Sequence, residues 1–439
     1  MGVRVKNIRQ SIFSKFFVLV FCSVFLFSSG CSNSSGPDDG KTVIKVAFWG
    51  SPDEINIITN SIASWQEEHP DIKVRFEHTP YGGYVSKILT RIAGGAAPDI
   101  ICTEVNYFVS FASKGVLANL TPFINADTSF NKKSFFPEVL DRFTVGKSIY
   151  AIPRDTAPFA CVFYNKDLFD EAGLEYPADN WTWDDMLDKA QKLTKQENGR
   201  TTQYGFYGWA WKNFIYGNGG QLVDDVKNPT KLLLDSPKSK EGLQFYIDLI
   251  NKHKVMPTPV ALSNSGMGVD TMFSTGKLAM FLSGVWETPG LRRRDFRWDV
   301  AMFPKNSKNV RGFGTGGSGY SILESSKNKE VAWEVVKALT GAQGQKELAR
   351  RGLAQPALID VAKGPDWAGD VASKPVNKGM LNEAVQFVTY DPFHPKWREI
   401  ESKFINEELD LLFNGKETID VVVSQITPKI NAILSAKES

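Results

Sequence analysis

The sequence predicts an α/β protein whose sheet is mostly parallel and covered by helices on both faces. Three observations lead there. The chain has 439 residues, too many for one compact domain and enough for two or three. Its apolar share of 42% is that of a soluble globular body. The first hundred residues of that body alternate strand and helix patterns in the order β-α-β-α-β, which buries a sheet between helix layers.

The elements follow in order. Val43 to Phe48 is an apolar-rich run that reads as a strand ending at Trp49-Gly50. Pro52-Asp53 opens a helix whose Ile55, Ile58, Ile62 and Trp65 share one face, and His69-Pro70 stops it. Ile72, Val74 and Phe76 alternate with charged residues as a second strand. Val85, Ile88, Leu89 and Ile92 mark a second helix, closed by Gly94-Gly95, and Asp99 to Cys102 is a short buried strand. Ligands on such sheets bind at the carboxyl ends of the strands. The tips Trp49-Gly50-Ser51, Thr79-Pro80-Tyr81 and Thr103 to Asn106 therefore nominate one site.

Further along, Ala160 to Tyr164 is a strand followed by a helix from Lys166 to Ala172. Thr182 is an N-cap with Asp184 and Asp185 in the first turn, which makes Trp181 and Trp183 a packed helix start. Tyr204 to Gly220 sets seven aromatic residues among glycines with neither helical nor strand periodicity, and reads as a loop of exposed rings able to bind. Phe313 to Gly319 is glycine-rich but lacks the Gly-Lys-Ser/Thr ending of a phosphate loop, so it reads as a crossover or hinge. The last third is helical, with Val331, Val335 and Leu339 in one helix and Trp397, Ile400 and Phe404 on one face of another.

The N-terminus has the character of an export signal. Arg4, Lys6, Arg9 and Lys15 precede an apolar run, Phe16 to Phe27, too short to span a bilayer. Ser28-Ser29-Gly30-Cys31 resembles the lipobox of bacterial lipoproteins, with Ser28 where that motif usually has Leu; the resemblance implies a lipid anchor on Cys31. Residues 32–40 form a flexible polar linker. Without the first 31 residues, 47 basic groups face 49 acidic ones, which argues against nucleic acid as a partner. Cys102 and Cys161, both in apolar runs, read as buried free thiols, and the four scattered His give no metal site.

The motifs together resemble the extracellular solute-binding proteins of bacterial carbohydrate ABC importers, the class that includes maltose-binding proteins. The carrying residues run from 44 to 430. They include Ala93-Gly94-Gly95-Ala96-Ala97-Pro98-Asp99-Ile100, Tyr164-Asn165-Lys166-Asp167-Leu168-Phe169, Trp181 to Leu187, Asn218-Gly219-Gly220, Gly276-Lys277-Leu278-Ala279-Met280 with Gly284-Val285-Trp286, and Pro395-Lys396-Trp397. The resemblance implies a two-lobed periplasmic-binding-protein fold (type II) joined by hinge crossovers. Lobe one would hold 41–157 with 316–356, and lobe two 158–315 with 357–439. It implies a monomer without cofactors, partnered by a sugar, by the permease subunits of an ABC transporter and, through the lipid, by the membrane.

The site residues follow from the same resemblance. Trp286 matches a stacking Trp, Tyr207 and Trp209 an aromatic binding loop, and Trp397 a further stacking position. Glu104 and Asn106 stand at a strand tip where maltose binders carry a Trp and an acid; Thr103 takes the place of that Trp, a departure that argues against maltodextrin. Asp155 is expected to accept a hydroxyl, with Ser51, Tyr84 and Gly317 completing the set. Two other readings stay open: the same fold holding a polyamine, a metal or a phosphorylated compound, and a lipid-anchored glycoside hydrolase with Glu104 and Asp155 as its carboxylate pair.

Overall fold

The computed structural model describes residues 40–436, so the export signal, Cys31 and nearly all of the linker lie outside the described residues. Two sheets organise the rest. The first is built from β1 (Thr42–Trp49), β2 (Ile72–Thr79), β3 (Ile100–Glu104) and β4 (Ile152–Pro153). The second takes β5 (Cys161–Asn165), β6 (Tyr207–Gly208), β7 (Met280–Ser283) and β8 (Trp298–Met302). The chain then returns through β9 (Phe313–Gly314) and adds β10 (Ser318–Ile322) to the first sheet. The strand orders are β2-β1-β3-β10-β4 and β6-β7-β5-β8.

The pairing corrects the expectation of mostly parallel sheets. β1 runs parallel to β2 and β3, but β10 runs against β3 and β4. β6 and β7 are parallel, while β5 runs against both β7 and β8. The reason is topological. β1 and β3 point their carboxyl ends toward the other sheet, so a strand arriving from there enters at the opposite end. β5 does the same in the other direction.

β1 is buried on both faces, and its period-two alternation divides the first core. Ile44, Val46 and Phe48 pack with Ile100, Cys102 and the helix Lys329–Thr340, whereas Ala47 packs with Ile101, Tyr84 and Phe108. The second sheet carries its own core, which includes Trp397, Ile400 and Leu409 from the C-terminal helices. Val385 and Phe393, expected with the second lobe, pack in the cores of the first sheet.

The two helix starts expected at Pro52 and after Thr182 are both capped by side chains. Ser51 caps Pro52–Asn60 in a reciprocal capping box with Glu54, and Thr182 does so with Asp185. The helix expected to run on to Trp65 is two: Ile62 leaves helical dihedrals (φ −118°, ψ 17°), and Ala63–Glu68 starts afresh. Tyr204 to Gly220 is also corrected. Phe206, Trp211, Phe214 and Tyr216 are buried, and Lys212–Gly217 is a helix too short to show a period.

The crossovers lie side by side. Phe159 N–H donates to the Gly314 carbonyl (2.9 Å), Gly316 N–H to Ala157 (3.1 Å) and Arg154 N–H to Ser318 (2.8 Å). Gly317 has φ +107°, and a Cβ there would collide with the Arg142 guanidinium. Ala157 sits at φ 42°, a region that side chains disfavour. Gly317→Ala is therefore expected to lose about 2–4 kcal/mol in denaturant unfolding. Ala157→Gly should stay within about 1 kcal/mol of the parent, because relief of strain offsets the added chain entropy. Equal losses in both variants would refute this account.

Candidate functional site

A cavity of about 830 Å³ lies where the strand ends of the two sheets meet. One wall comes from the tips of β1 and β3 and from the start of the helix Tyr81–Ala93, with Trp49, Ser51, Tyr81, Glu104 and Asn106. The other carries Trp209, which follows β6, and Trp286, which follows β7. The crossovers contribute Asp155, Phe159, Gly316 and Gly317. The sequence rule that ligands sit at strand carboxyl ends thus picks out this cavity.

Aromatic rings face the space from both sides. Trp209 meets Phe159 edge-on (4.7 Å between centroids), and Phe159 meets Trp286 (6.0 Å, 89°). Opposite them Trp49 packs against Tyr81 at 5.9 Å. The Trp286 indole folds back over Gly284, where any Cβ would fall inside the ring, so a glycine is required there for this rotamer.

The charged groups are mostly acidic. Tyr81 donates its hydroxyl proton to Glu104 Oε2 (2.8 Å). Burial pushes the Glu104 carboxyl up to about 7, with Asp391 adding to the effect and hydrogen bonds from Tyr81 and Asn106 opposing it. Asn106 Oδ1 is buried without a partner, an acceptor unused among the described residues. Lys212 Nζ is held by Asp391 (2.7 Å) and by Glu401. Burial alone would depress this ammonium, but the two carboxylates keep it above its ordinary value. Burial also raises Glu287 and Glu401.

Asp155 lines the cavity, yet both its oxygens are engaged. Oδ2 accepts from Arg154 Nε (3.0 Å) and the Ser318 hydroxyl (2.7 Å), and Oδ1 from Ser318 N–H (2.9 Å). Ser51 is at the rim as a helix cap. Three expected site residues lie elsewhere. Tyr84 is 1% exposed, its hydroxyl bridging the carbonyls of Ala47 (3.0 Å) and Cys102 (2.9 Å), because it ties β1 to β3. Trp397 is also 1% exposed, in the second core with Ile400 and Ile405. Tyr207 borders a separate groove. Cys102 and Cys161 are buried and unbonded, and no His, Cys or carboxylate cluster fit for a metal exists among the described residues.

Several lining residues escaped the sequence reading. Trp49 and Tyr81 stood at nominated tips without being singled out. Phe159 follows Pro158 just before β5, a position that could have marked it. Asp391 and Glu401 reach the cavity from the far C-terminal part of the chain and carry no local signal.

The sequence pattern of the family described as bacterial extracellular solute-binding protein matches residues 49–346. The galactooligosaccharide-binding protein of Bacillus subtilis is 22% identical over 438 residues, spanning 97% of this chain and 98% of that protein. The arabinooligosaccharide-binding protein of the same organism is 25% identical over 356 residues, 76% of this chain and 77% of its own length. Among solved structures, the ABC substrate-binding protein of Listeria monocytogenes in complex with cycloalternan superposes with a TM-score of 0.81 at 26% identity, covering 90% of this chain and 100% of that one.

The Glu104 environment has a signature in pH. Its carboxyl is raised in the folded state, so the protonated form is the one the fold favours. This contribution is complete below the ordinary value of 4.5 and is lost as pH rises through about 7. Unfolding free energies of the parent and Glu104→Gln, measured from pH 4 to 8, should diverge across that window, with the variant gaining on the parent as pH rises. Parallel curves would mean that Glu104 is solvated like an ordinary surface carboxylate.

Proposed function

The chain belongs to the bacterial extracellular solute-binding proteins, and we propose that it captures a mono- or oligosaccharide in this cleft, outside the cytoplasm, and delivers it to the permease of an ABC importer. The observation that carries the reading is the pairing of opposed aromatic rings with a rim of hydrogen-bonding side chains in one cavity of small-ligand size. Sugars present apolar C–H faces for stacking and hydroxyls at their edges. The relatives named for galacto- and arabino-oligosaccharides support the ligand class.

Charge narrows it. Glu54, Glu104, Asp155, Glu287, Asp391 and Glu401 line the cavity against the cations Arg154 and Lys212. An anionic ligand would meet repulsion there, which favours a neutral sugar over a uronate or a phosphorylated compound. In our reading Trp286, Phe159 and Trp209 stack on the sugar, Glu104 and Asn106 bond its hydroxyls, and Gly317 and Asp155 hold the hinge. Closure would turn on the crossovers near Ala157 and Gly316-Gly317. Asp155 already spends both oxygens inside the protein, which supports binding without hydrolysis. We read the lobes as 41–157 with 316–356 and 158–315 with most of 357–439, Val385 and Phe393 packing instead with the first sheet, and the protein as a monomer.

A sugar bound by the folded state alone must raise the melting temperature. A thermal-shift panel with product analysis should give sugar hits recovered unchanged, and Trp286→Ala should weaken the best hit by tens- to several-hundred-fold in calorimetric titration. Turnover of a hit, or a panel answered by polyamines alone, would overturn the reading.

We also propose that Cys31 carries a lipid that holds the protein at the membrane. In a bacterial host, the parent should partition with membranes and take up labelled fatty acid, and Cys31→Ser should do neither. Persistent membrane association of Cys31→Ser would remove the anchor from the account.

A further inference from the structure

Trp209 belongs to two cavities. It lines the cleft, and it also lines a separate groove of about 450 Å³ formed by the segment that follows β6, the helix Pro237–Asn251, the stretch from Met256 to Met267 and Phe413. Trp209 is 41% exposed, more than the half-buried Phe159, Tyr207, Trp286 and Phe413 near it. The two spaces differ in chemistry. The cleft is rimmed by carboxylates, amides and ammonium. The groove is faced by Tyr207, Tyr246, Met256, Leu262, Met267 and Phe413. Of its polar atoms, the Tyr246 hydroxyl is already spent on the Gly208 carbonyl (2.8 Å), and that ring packs edge-on against Phe413 at 5.0 Å. Apart from the indole N–H, only the Tyr207 and Ser263 hydroxyls remain for a ligand among the lining side chains.

A further sugar ring needs partners for several hydroxyls, and each one buried without a partner costs affinity. The side chains of this lining offer few. It suits an apolar group instead, with two methionines that adapt to irregular shapes. Its volume lies in the small-molecule range, and it shares one lining residue, Trp209, with the cleft. We propose that the groove is an aglycone subsite: a glycoside seated in the cleft passes Trp209 and lays an aryl or alkyl group against Tyr207, Leu262 and Met267. This rests on the sugar-binding reading of the cleft and extends it from sugars to glycosides.

The test compares methyl and phenyl glycosides of glucose, galactose and arabinose, in both anomers, by calorimetric titration. A phenyl glycoside is expected to bind about tenfold or more tighter than its methyl counterpart, the scale set by burying one ring. Leu262→Glu and, independently, Met267→Glu should reduce that ratio to about one while leaving the methyl glycoside constant unchanged, which also reports that the variants fold. A ratio near one in the parent overturns the subsite, as does a phenyl gain that survives both variants, since the ring then stacks inside the cleft. A disaccharide showing the same variant-sensitive gain as the phenyl glycoside would make the groove a sugar subsite and also overturn the proposal. If no methyl or phenyl glycoside binds while the thermal-shift panel gives sugar hits, this inference falls and the sugar reading stands; a panel without sugar hits brings down both.

Discussion

The structure depends on two chain segments crossing between the sheets beside each other, and on what it takes to bury the charges there. Residues 154–159 and 314–318 exchange backbone hydrogen bonds throughout the crossing. Asp155 is 3% exposed, and a carboxylate at that depth is tolerable because Arg154 and Ser318 occupy its oxygens. Arg142 lies fully buried alongside and gives Nη1 to the carbonyls of Thr156 (2.6 Å) and Gly316 (2.9 Å), one on each crossing segment. Burial drags its guanidinium down to about 10, and Nε and Nη2 find no partner among the described residues. A side chain held at such cost has one evident return: it fixes two strands at the place where their separation sets the cleft.

The sheet polarities follow from that crossing, and the site follows from the polarities. β10 begins at Ser318, where β3 ends at Glu104, and β5 begins beyond Phe159, next to where β7 ends at Ser283. Every element that meets the crossover therefore presents an end there, and ends are where backbone direction changes and side chains are free to face a ligand. Trp286 shows how firmly such a residue is set. Its ring is seated on Gly284, it also touches the core of the first sheet, and Phe159 meets it at a right angle. Groups positioned by strands and by packed backbone lose little further freedom when a ligand arrives.

What was legible in the sequence tracks the range of the physical signal. Apolar runs gave β1 and β3, period-two alternation gave β2, helical spacing gave the helix Tyr81–Ala93, and Pro52-Asp53 and the Thr182 cap gave two helix starts. The glycine run at 313–319 announced the crossover because Gly317 needs its left-handed dihedral. The failures were non-local. The rings between Tyr204 and Gly220 looked exposed because a six-residue helix shows no period, yet four of them are core. Tyr84 and Trp397 carry residue types suited to stacking, and only packing reveals that one ties two strands together and the other fills a hydrophobic cluster. Asp391 and Glu401 meet Lys212 across more than 170 residues of sequence, a juxtaposition that no local pattern encodes.

The cleft also shows where stability is traded for recognition. Burial raises Glu104, Glu287 and Glu401 together, so each carboxylate is more stable in water than where it is held. A fold selected for stability alone would replace such groups by apolar side chains of similar volume. Their value appears when a ligand supplies hydrogen-bond donors. A sugar hydroxyl donating to Glu104, or a donor reaching the buried Oδ1 of Asn106, gives back what desolvation took away. A ligand offering carboxylates or phosphates in the same place would add repulsion to an existing deficit. The buried polar groups of the cleft and the neutral, hydroxyl-rich ligand proposed for it belong together: each sugar hydroxyl both donates and accepts, which is the chemistry such groups can take.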